Sequence, residues 1–320
     1  MTVPDVTEKY AAALNTVTIG ATKEQGGTRA KTITVGGSAG LPWLRFEGRP
    51  GHPPVIAIEV WDTGAETWPD QLKEAYGPAM NGLADWCRKA VEFGADLICL
   101  KLMGTHPDAG NRSPEQAAES VRTCLEAVGV PLIVWGCGVY EKDNRVLPKC
   151  TEAAKGENCL FGTIVEKNYA TLVAACLAGG HKIIAESPLD INIAKQVNIL
   201  ASDAGFPLQD IVMFPTTGAL GYGLEYVYSI QERMRLAALG GDRQLQQPIL
   251  CDVGMEAWRA KESKIPQKEA PTWGPAERRG PIWEAVTATN LLQSGGDILV
   301  MRHPEAIRMV RKTIERLTGA

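Results

Sequence analysis

The sequence predicts an α/β protein built as a (β/α)8 TIM barrel with an N-terminal β-hairpin extension. Eight short apolar, β-branched runs recur along the chain, and segments of helical periodicity lie between them. Strand alternating with helix demands parallel pairing and right-handed crossovers, and eight such units can close into a barrel. The loops add an asymmetry. Helix-to-strand turns are short and Gly-marked, as in Phe93-Gly94-Ala95-Asp96, Val128-Gly129-Val130-Pro131 and Ser294-Gly295-Gly296-Asp297. Strand-to-helix connections are long at 62–78, 103–113, 136–146, 215–223 and above all 254–281. In such barrels ligands gather at the C-terminal ends of the strands, where loops vary without disturbing the core.

Taken in order, residues 1–54 read as an extension: a short helix over Val6 to Leu14, then strands Thr16 to Ile19 and Lys31 to Val35 around the turn-rich Gln25-Gly26-Gly27-Thr28. This hairpin either caps the barrel or makes a subunit contact. The barrel occupies 55–320, with strands at Val55–Trp61, Leu97–Leu102, Pro131–Trp135, Leu160–Val165, Lys182–Glu186, Asp210–Phe214, Pro248–Val253 and Asp297–Met301. Helices are expected at Met80–Phe93, Pro114–Val128, Tyr169–Ala178, Ile191–Ala204, Leu224–Leu239, Ile282–Gln293 and Pro304–Leu317. Ser113-Pro114-Glu115-Gln116 and Ser187-Pro188-Leu189-Asp190 each supply a capping Ser, Pro at the first helical position and an N3 side chain able to reach back.

Composition narrows the function classes. The 320 residues are 45% apolar and 22% charged, which is globular, and a net charge of −4 with no basic helix face argues against nucleic acid. Asp5, Glu8 and Lys9 interrupt the N-terminus, and no run approaches the roughly 20 apolar residues of a membrane span, so a cytoplasmic protein without a signal peptide is expected. The eight cysteines are scattered with no C-x-x-C pair, and read as small buried hydrophobes rather than disulfides or metal ligands.

Near the strand C-termini stand Glu59, Lys101, Glu166, Glu186 and Asp252. They form either an acid–base ring, in which a Lys101 of depressed pKa could serve as a Schiff-base nucleophile, or a charge-paired, chemically inert layer. The balance favours the inert layer. The Gly-rich loops of a barrel phosphate site are missing after the last strand, which runs directly into Arg302-His303-Pro304. His52, His106, His181 and His303 show no metal-ligand spacing, so no metal site and no catalytic residue is assigned. The most unusual segment, after the sixth strand, is Pro215-Thr216-Thr217-Gly218-Ala219-Leu220-Gly221-Tyr222-Gly223, whose glycines and hydroxyls would let backbone approach a large flat ligand.

That loop, together with Ile184-Ala185-Glu186-Ser187-Pro188-Leu189-Asp190-Ile191-Asn192-Ile193-Ala194-Lys195-Gln196, resembles the small subunit of the corrinoid iron-sulfur protein, and equally the delta subunit of the acetyl-CoA decarbonylase/synthase complex. The likeness runs from Thr34-Val35-Gly36-Gly37 through Gly254-Met255-Glu256-Ala257-Trp258 to Val300-Met301-Arg302-His303-Pro304. It implies a heterodimeric methyl carrier of the reductive acetyl-CoA (Wood–Ljungdahl) pathway. The corrinoid (cobalamin) of that carrier passes a methyl group from methyltetrahydrofolate, by way of a methyltransferase, to acetyl-CoA synthase. By the resemblance, the large subunit holds the iron-sulfur cluster and the cobalamin-binding domain, and the small subunit covers the corrinoid. On this reading the cofactor-binding residues here are Pro215, Thr216, Thr217, Gly218, Ala219, Leu220, Gly221 and Tyr222. Trp258 and Trp273 are either interface anchors or pins for the long loop. The alternative is a pterin-binding TIM-barrel methyltransferase acting on methyltetrahydrofolate; a Schiff-base lyase using Lys101 is a third possibility.

Overall fold

Strand alternation decides which side chains enter this barrel. The computed structural model describes residues 4–319. After a hairpin of β1 (Thr16–Ile19) and β2 (Ile33–Gly36) come the barrel strands β3 (Val55–Trp61), β4 (Leu97–Lys101), β5 (Leu132–Trp135), β6 (Leu160–Ile164), β7 (Lys182–Glu186), β8 (Ile211–Phe214), β9 (Leu250–Cys251) and β10 (Ile298–Met301). All eight pair in parallel in the order β8-β7-β6-β5-β4-β3-β10-β9, and a bridge between Met213 and Ile249 joins the two ends. Successive side chains on a strand face opposite ways. Val55, Ala57, Leu97, Cys99, Ile133, Ile184, Val212, Leu250, Ile298 and Val300 therefore fill the interior, while Ile56, Ile58, Val60, Ile98 and Leu100 pack outward under the helices.

The helices are α1 (Asp70–Tyr76), α2 (Leu83–Glu92), α3 (Pro114–Ala127), α4 (Tyr140–Ala153), α5 (Tyr169–Gly179), α6 (Ile191–Asp203), α7 (Leu224–Leu239), α8 (Val253–Arg259), α9 (Ala276–Gln293) and α10 (Pro304–Thr318). Ser113 caps α3 with the expected capping box to Gln116. The hairpin is a cap: Val17, Ile19 and Val35 join the interior cluster with Val55, Leu97 and Leu160, plugging the end of the barrel where the strands begin. Its outer strap is held by the buried Arg29, which pairs with Glu157 at 2.8 Å and donates to the carbonyls of Leu125 and Val128.

Several expectations are corrected. Val6 to Leu14 is not helical, because Asp5 captures the Thr7 N–H and the N–H groups of Ala11 and Ala12 both go to the Leu239 carbonyl. The 136–146 connection shrinks to four residues before α4, since Asp143 accepts the N–H groups of Cys137 and Gly138 and turns the chain into a helix that tolerates Pro148. Short helices α1 and α8 occupy the supposed loops 62–78 and 254–281, and α9 begins at Ala276 with Pro281 inside it. Asp190, not Ser187, caps α6 by accepting from Asn192 and Ile193. β9 stops at Cys251 because the Asp252 N–H leaves the ladder for Thr217 Oγ1 at 2.8 Å. Seven cysteines are buried and Cys137 is half-buried, all as free thiols. Among the described residues no helix is long and apolar enough to cross a membrane.

Candidate functional site

The same alternation that fills the interior with Ala57, Cys99, Leu250 and Val300 brings Glu59, Lys101, Asp252 and Arg302 together at the mouth, two positions further along each strand. Their side chains are all but closed to solvent. Arg302 forks onto Glu59 through Nε (3.0 Å) and Nη2 (2.7 Å), and Lys101 Nζ donates to Asp252 Oδ2 at 2.6 Å and lies 3.4 Å from Glu59. Trp61 Nε1 adds a 2.5 Å bond to Glu59. The Arg302 guanidinium lies 4.3 Å from the centre of the Trp68 ring, and Lys101 lies 5.2 Å from that of Trp135, so aromatic faces carry part of the cationic charge. Two carboxylates and two cations cancel within one buried layer.

Electrostatics follow from this pairing. Burial opposes ionisation of Glu59, but Arg302 and Lys101 outweigh it and hold the carboxyl down at about 2. Burial would likewise push the Lys101 ammonium down, yet Asp252 and Glu59 keep it above the ordinary lysine value. A lysine held protonated is no Schiff-base nucleophile. Borohydride reduction in the presence of small aldehydes should therefore leave Lys101 unmodified by peptide mass mapping; an adduct at Lys101 would show a free amine there and break this picture. Across the mouth, burial raises the carboxyls of Asp62, Asp143 and Glu186. Glu186 accepts from Thr163 Oγ1 at 2.5 Å, whereas Glu166 points to solvent outside the layer.

Reasoning from sequence missed two members. Arg302 follows β10 immediately, as Asp252 follows β9, and that register was the available signal. Glu284 is a fully buried acid on α9 that accepts the N–H groups of Arg302 (2.5 Å) and His303 (3.1 Å) and Trp258 Nε1 (2.7 Å). Trp258 is thus a pin, with His303 stacked on it, while Trp273 is 53% exposed.

The 215–222 loop meets this layer at Asp252, whose N–H donates to Thr217 Oγ1, and divides in two. Pro215, Gly218 and Ala219 are buried, Thr216, Thr217 and Leu220 are half-buried, and Gly221 and Tyr222 are exposed. It is stitched in place from every side. Thr216, at φ 48°, donates to the Ser187 carbonyl, and Leu220 N bonds Thr287 Oγ1. Trp283 donates to the Leu220 carbonyl, and Tyr222 OH reaches Glu262 at 2.7 Å. A methyl group on Gly218 would stand 2.9 Å from the Gly223 backbone, so glycine is required by close approach. The loop thus offers a fixed platform of hydroxyls, backbone and one tyrosine face.

The platform would offer hydroxyl, backbone and aromatic contacts to a corrinoid, but among the described residues the mouth offers it no free imidazole. His106 and His303 each accept a backbone N–H at Nδ1, from Asp108 and Glu305 respectively. That leaves the proton on Nε2 and no free lone pair. Burial also keeps His303 neutral, with its pKa pushed down to about 4. The residues present would suit contact with the macrocycle and would supply its metal no ligand.

Comparison with known proteins bears out the family expected from the motifs. The profile of the CO dehydrogenase/acetyl-CoA synthase delta subunit matches residues 16–309. The acetyl-CoA decarbonylase/synthase complex subunit delta of Methanosarcina mazei is 38% identical over 317 residues, 97% of this chain and 72% of that protein. The Methanothermobacter thermautotrophicus subunit is 39% identical over 294 residues, 91% of this chain and 74% of that one. Among solved structures, dihydropteroate synthase from Thermus thermophilus superposes with a TM-score of 0.54 at 15% identity, covering 87% of this chain and 98% of its own. The Xanthomonas albilineans enzyme in complex with 7,8-dihydropteroate reaches 0.56 at 15% identity, covering 84% and 95%. At that identity the likeness shows the TIM-barrel fold alone. With nearly the whole chain matched, from the hairpin to α10, it belongs to the CO dehydrogenase/acetyl-CoA synthase delta subunit family.

Proposed function

We propose that this chain is the small, non-catalytic half of a heterodimeric methyl carrier, and that its barrel mouth covers a corrinoid held by a larger partner subunit. The observation that carries the reading is the mouth itself: a buried, mutually neutralised Glu59–Lys101–Asp252–Arg302 floor beneath a rigid, half-exposed loop. When bound, the corrinoid supplies a cobalt able to accept a methyl group from methyltetrahydrofolate, through a methyltransferase, and to release it to acetyl-CoA synthase. The chain's own residues do the rest. The floor would offer no free amine to take up the methyl group, since Lys101 is held protonated, and the loop would shield the mouth from water. Thr216, Gly221 and Tyr222 are the residues left to touch the macrocycle. The iron-sulfur cluster belongs to the partner on this reading.

Mixing the purified chain with the corrinoid-loaded large subunit should give a heterodimer by mass that retains corrinoid absorbance. Tyr222→Ala should cost no more than about 1.5 kcal/mol of stability, the loss of its one hydrogen bond to Glu262 at a half-exposed position. The same change should weaken association roughly tenfold or more, the effect of losing one aromatic anchor. Stoichiometric corrinoid binding by this chain alone, or no association with the large subunit, would sink the shared-pocket reading. Robust methyl transfer from methyltetrahydrofolate to free cobalamin by the isolated chain would favour the pterin methyltransferase instead.

A further inference from the structure

At the opposite end of the barrel, the segment between β2 and β3 folds back over the turn into β10 and forms a half-open cavity of about 220 Å³. Its wall is closely built. A methyl group on Gly48 would lie 2.3 Å from the Ala39 carbonyl oxygen and one on Gly51 2.4 Å from that of Gly36, so only glycine fits at either position. Trp43 sits at φ 67°, in the left-handed region, and donates Nε1 to the Leu292 carbonyl at 3.1 Å. A bulky residue there costs about 1–3 kcal/mol and persists only where its surroundings hold it, a pattern found at ligand clamps.

The charges on the lining are unbalanced. Among the described residues that line it, three arginines, Arg45, Arg49 and Arg235, face one carboxylate, Asp297, which Arg235 already occupies. Arg45 donates to the Leu317 carbonyl and makes no ion pair among the described residues. Arg49 and His52 make no side-chain hydrogen bond or ion pair among the described residues. In a chain of net charge −4, this is a local excess of cation around a concavity walled by Trp43, Leu44 and Leu292. An arginine fork suits a carboxylate or phosphate, and an apolar wall suits a hydrocarbon body. The volume lies below the roughly 300–1,000 Å³ of pockets for drug-sized ligands, which limits the body to about one ring.

We infer that this cavity binds a small organic anion, a single-ring carboxylate or phosphate monoester, with its charged end on Arg49, Arg45 and the His52 ring and its own ring against Trp43 and Leu292. The site lies at the opposite end from the mouth and does not depend on the corrinoid reading. Titration calorimetry of the full chain with phenyl phosphate and with benzoate should give saturable binding of at least one, and the tighter of the two identifies the acid type. Benzyl alcohol and inorganic phosphate should each bind at least tenfold more weakly than that probe. Arg49→Gln and His52→Ala, both at exposed positions, should melt like wild type and bind it at least tenfold more weakly. The inference is overturned if neither aryl anion saturates, if both folded variants bind undiminished, or if inorganic phosphate binds as tightly as phenyl phosphate.

Discussion

Glu59→Gln should lower the unfolding free energy by about 3–5 kcal/mol, the usual loss when one partner of a buried ion pair is removed. Glu59 is wholly buried and receives Arg302, Lys101 and Trp61 at once. The amide keeps the shape and removes the charge, so two buried cations are left against Asp252. Because the folded pKa of Glu59 is depressed to about 2, its stabilisation is fully present above the unfolded value near 4.5 and is lost as pH falls through 2. Urea titrations at pH 7 and pH 2.5 separate the effects: wild type should lose much of its advantage over the variant at the lower pH. A loss under about 1 kcal/mol at pH 7 would mean that water reaches the layer and screens it. Replacing all four charged residues by apolar ones of similar volume should be far milder than removing one, since the layer's desolvation cost nearly cancels its attraction. Its value then lies in presenting an inert floor rather than in holding the barrel together.

Much of this architecture is legible in the chain because barrel strands repeat one simple rule. Alternation along the apolar runs is enough to place Glu59, Lys101 and Asp252 on one layer. Arg302 escaped because it lies one residue beyond the last apolar run, where period-two reading ends. Glu284 escaped for a different reason: its partners are two backbone N–H groups and an indole on other elements, and no local pattern announces such an acceptor. Helix α4 was hidden by Pro148 and its charged first turn, and the apparent helix at 6–14 failed because tertiary acceptors took its N–H groups. The hairpin's strands were evident, but not the destination of Val17, Ile19 and Val35, since the same apolar face could have met another subunit. The 215–222 loop was visible as chemistry, while the inward pull of Thr217 and Leu220, which leaves only part of it exposed, depends on residues 35 and 67 positions away.

Between pH 4.5 and 7 a large titration is expected from Glu284. Burial raises its carboxyl to about 7, against the pull of the three N–H donors that surround it. The sign is opposite to that of Glu59. The folded state binds a proton that the unfolded state releases near 4.5, so this group's contribution to stability falls as pH rises from 4.5 through 7. At about 1.36 kcal/mol per unit the fall is bounded near 3 kcal/mol. Glu284→Gln removes the titration, and the difference in stability between pH 5 and 8 should shrink by about that amount in matched urea series. The variant also orphans an N–H, because the amide NH2 accepts nothing where both oxygens of the acid, protonated or ionised, keep a lone pair, at about 1–3 kcal/mol. It should therefore be less stable than wild type at pH 5, and the gap should narrow towards pH 8. An unchanged pH slope would instead mean that Glu284 stays ionised throughout, its charge held by Arg302, Trp258 and His303. The outcome bears on the mouth, because the Arg302 backbone that Glu284 grips carries the guanidinium that neutralises Glu59. The floor beneath the loop is thereby tied to a helix on the barrel's outer wall.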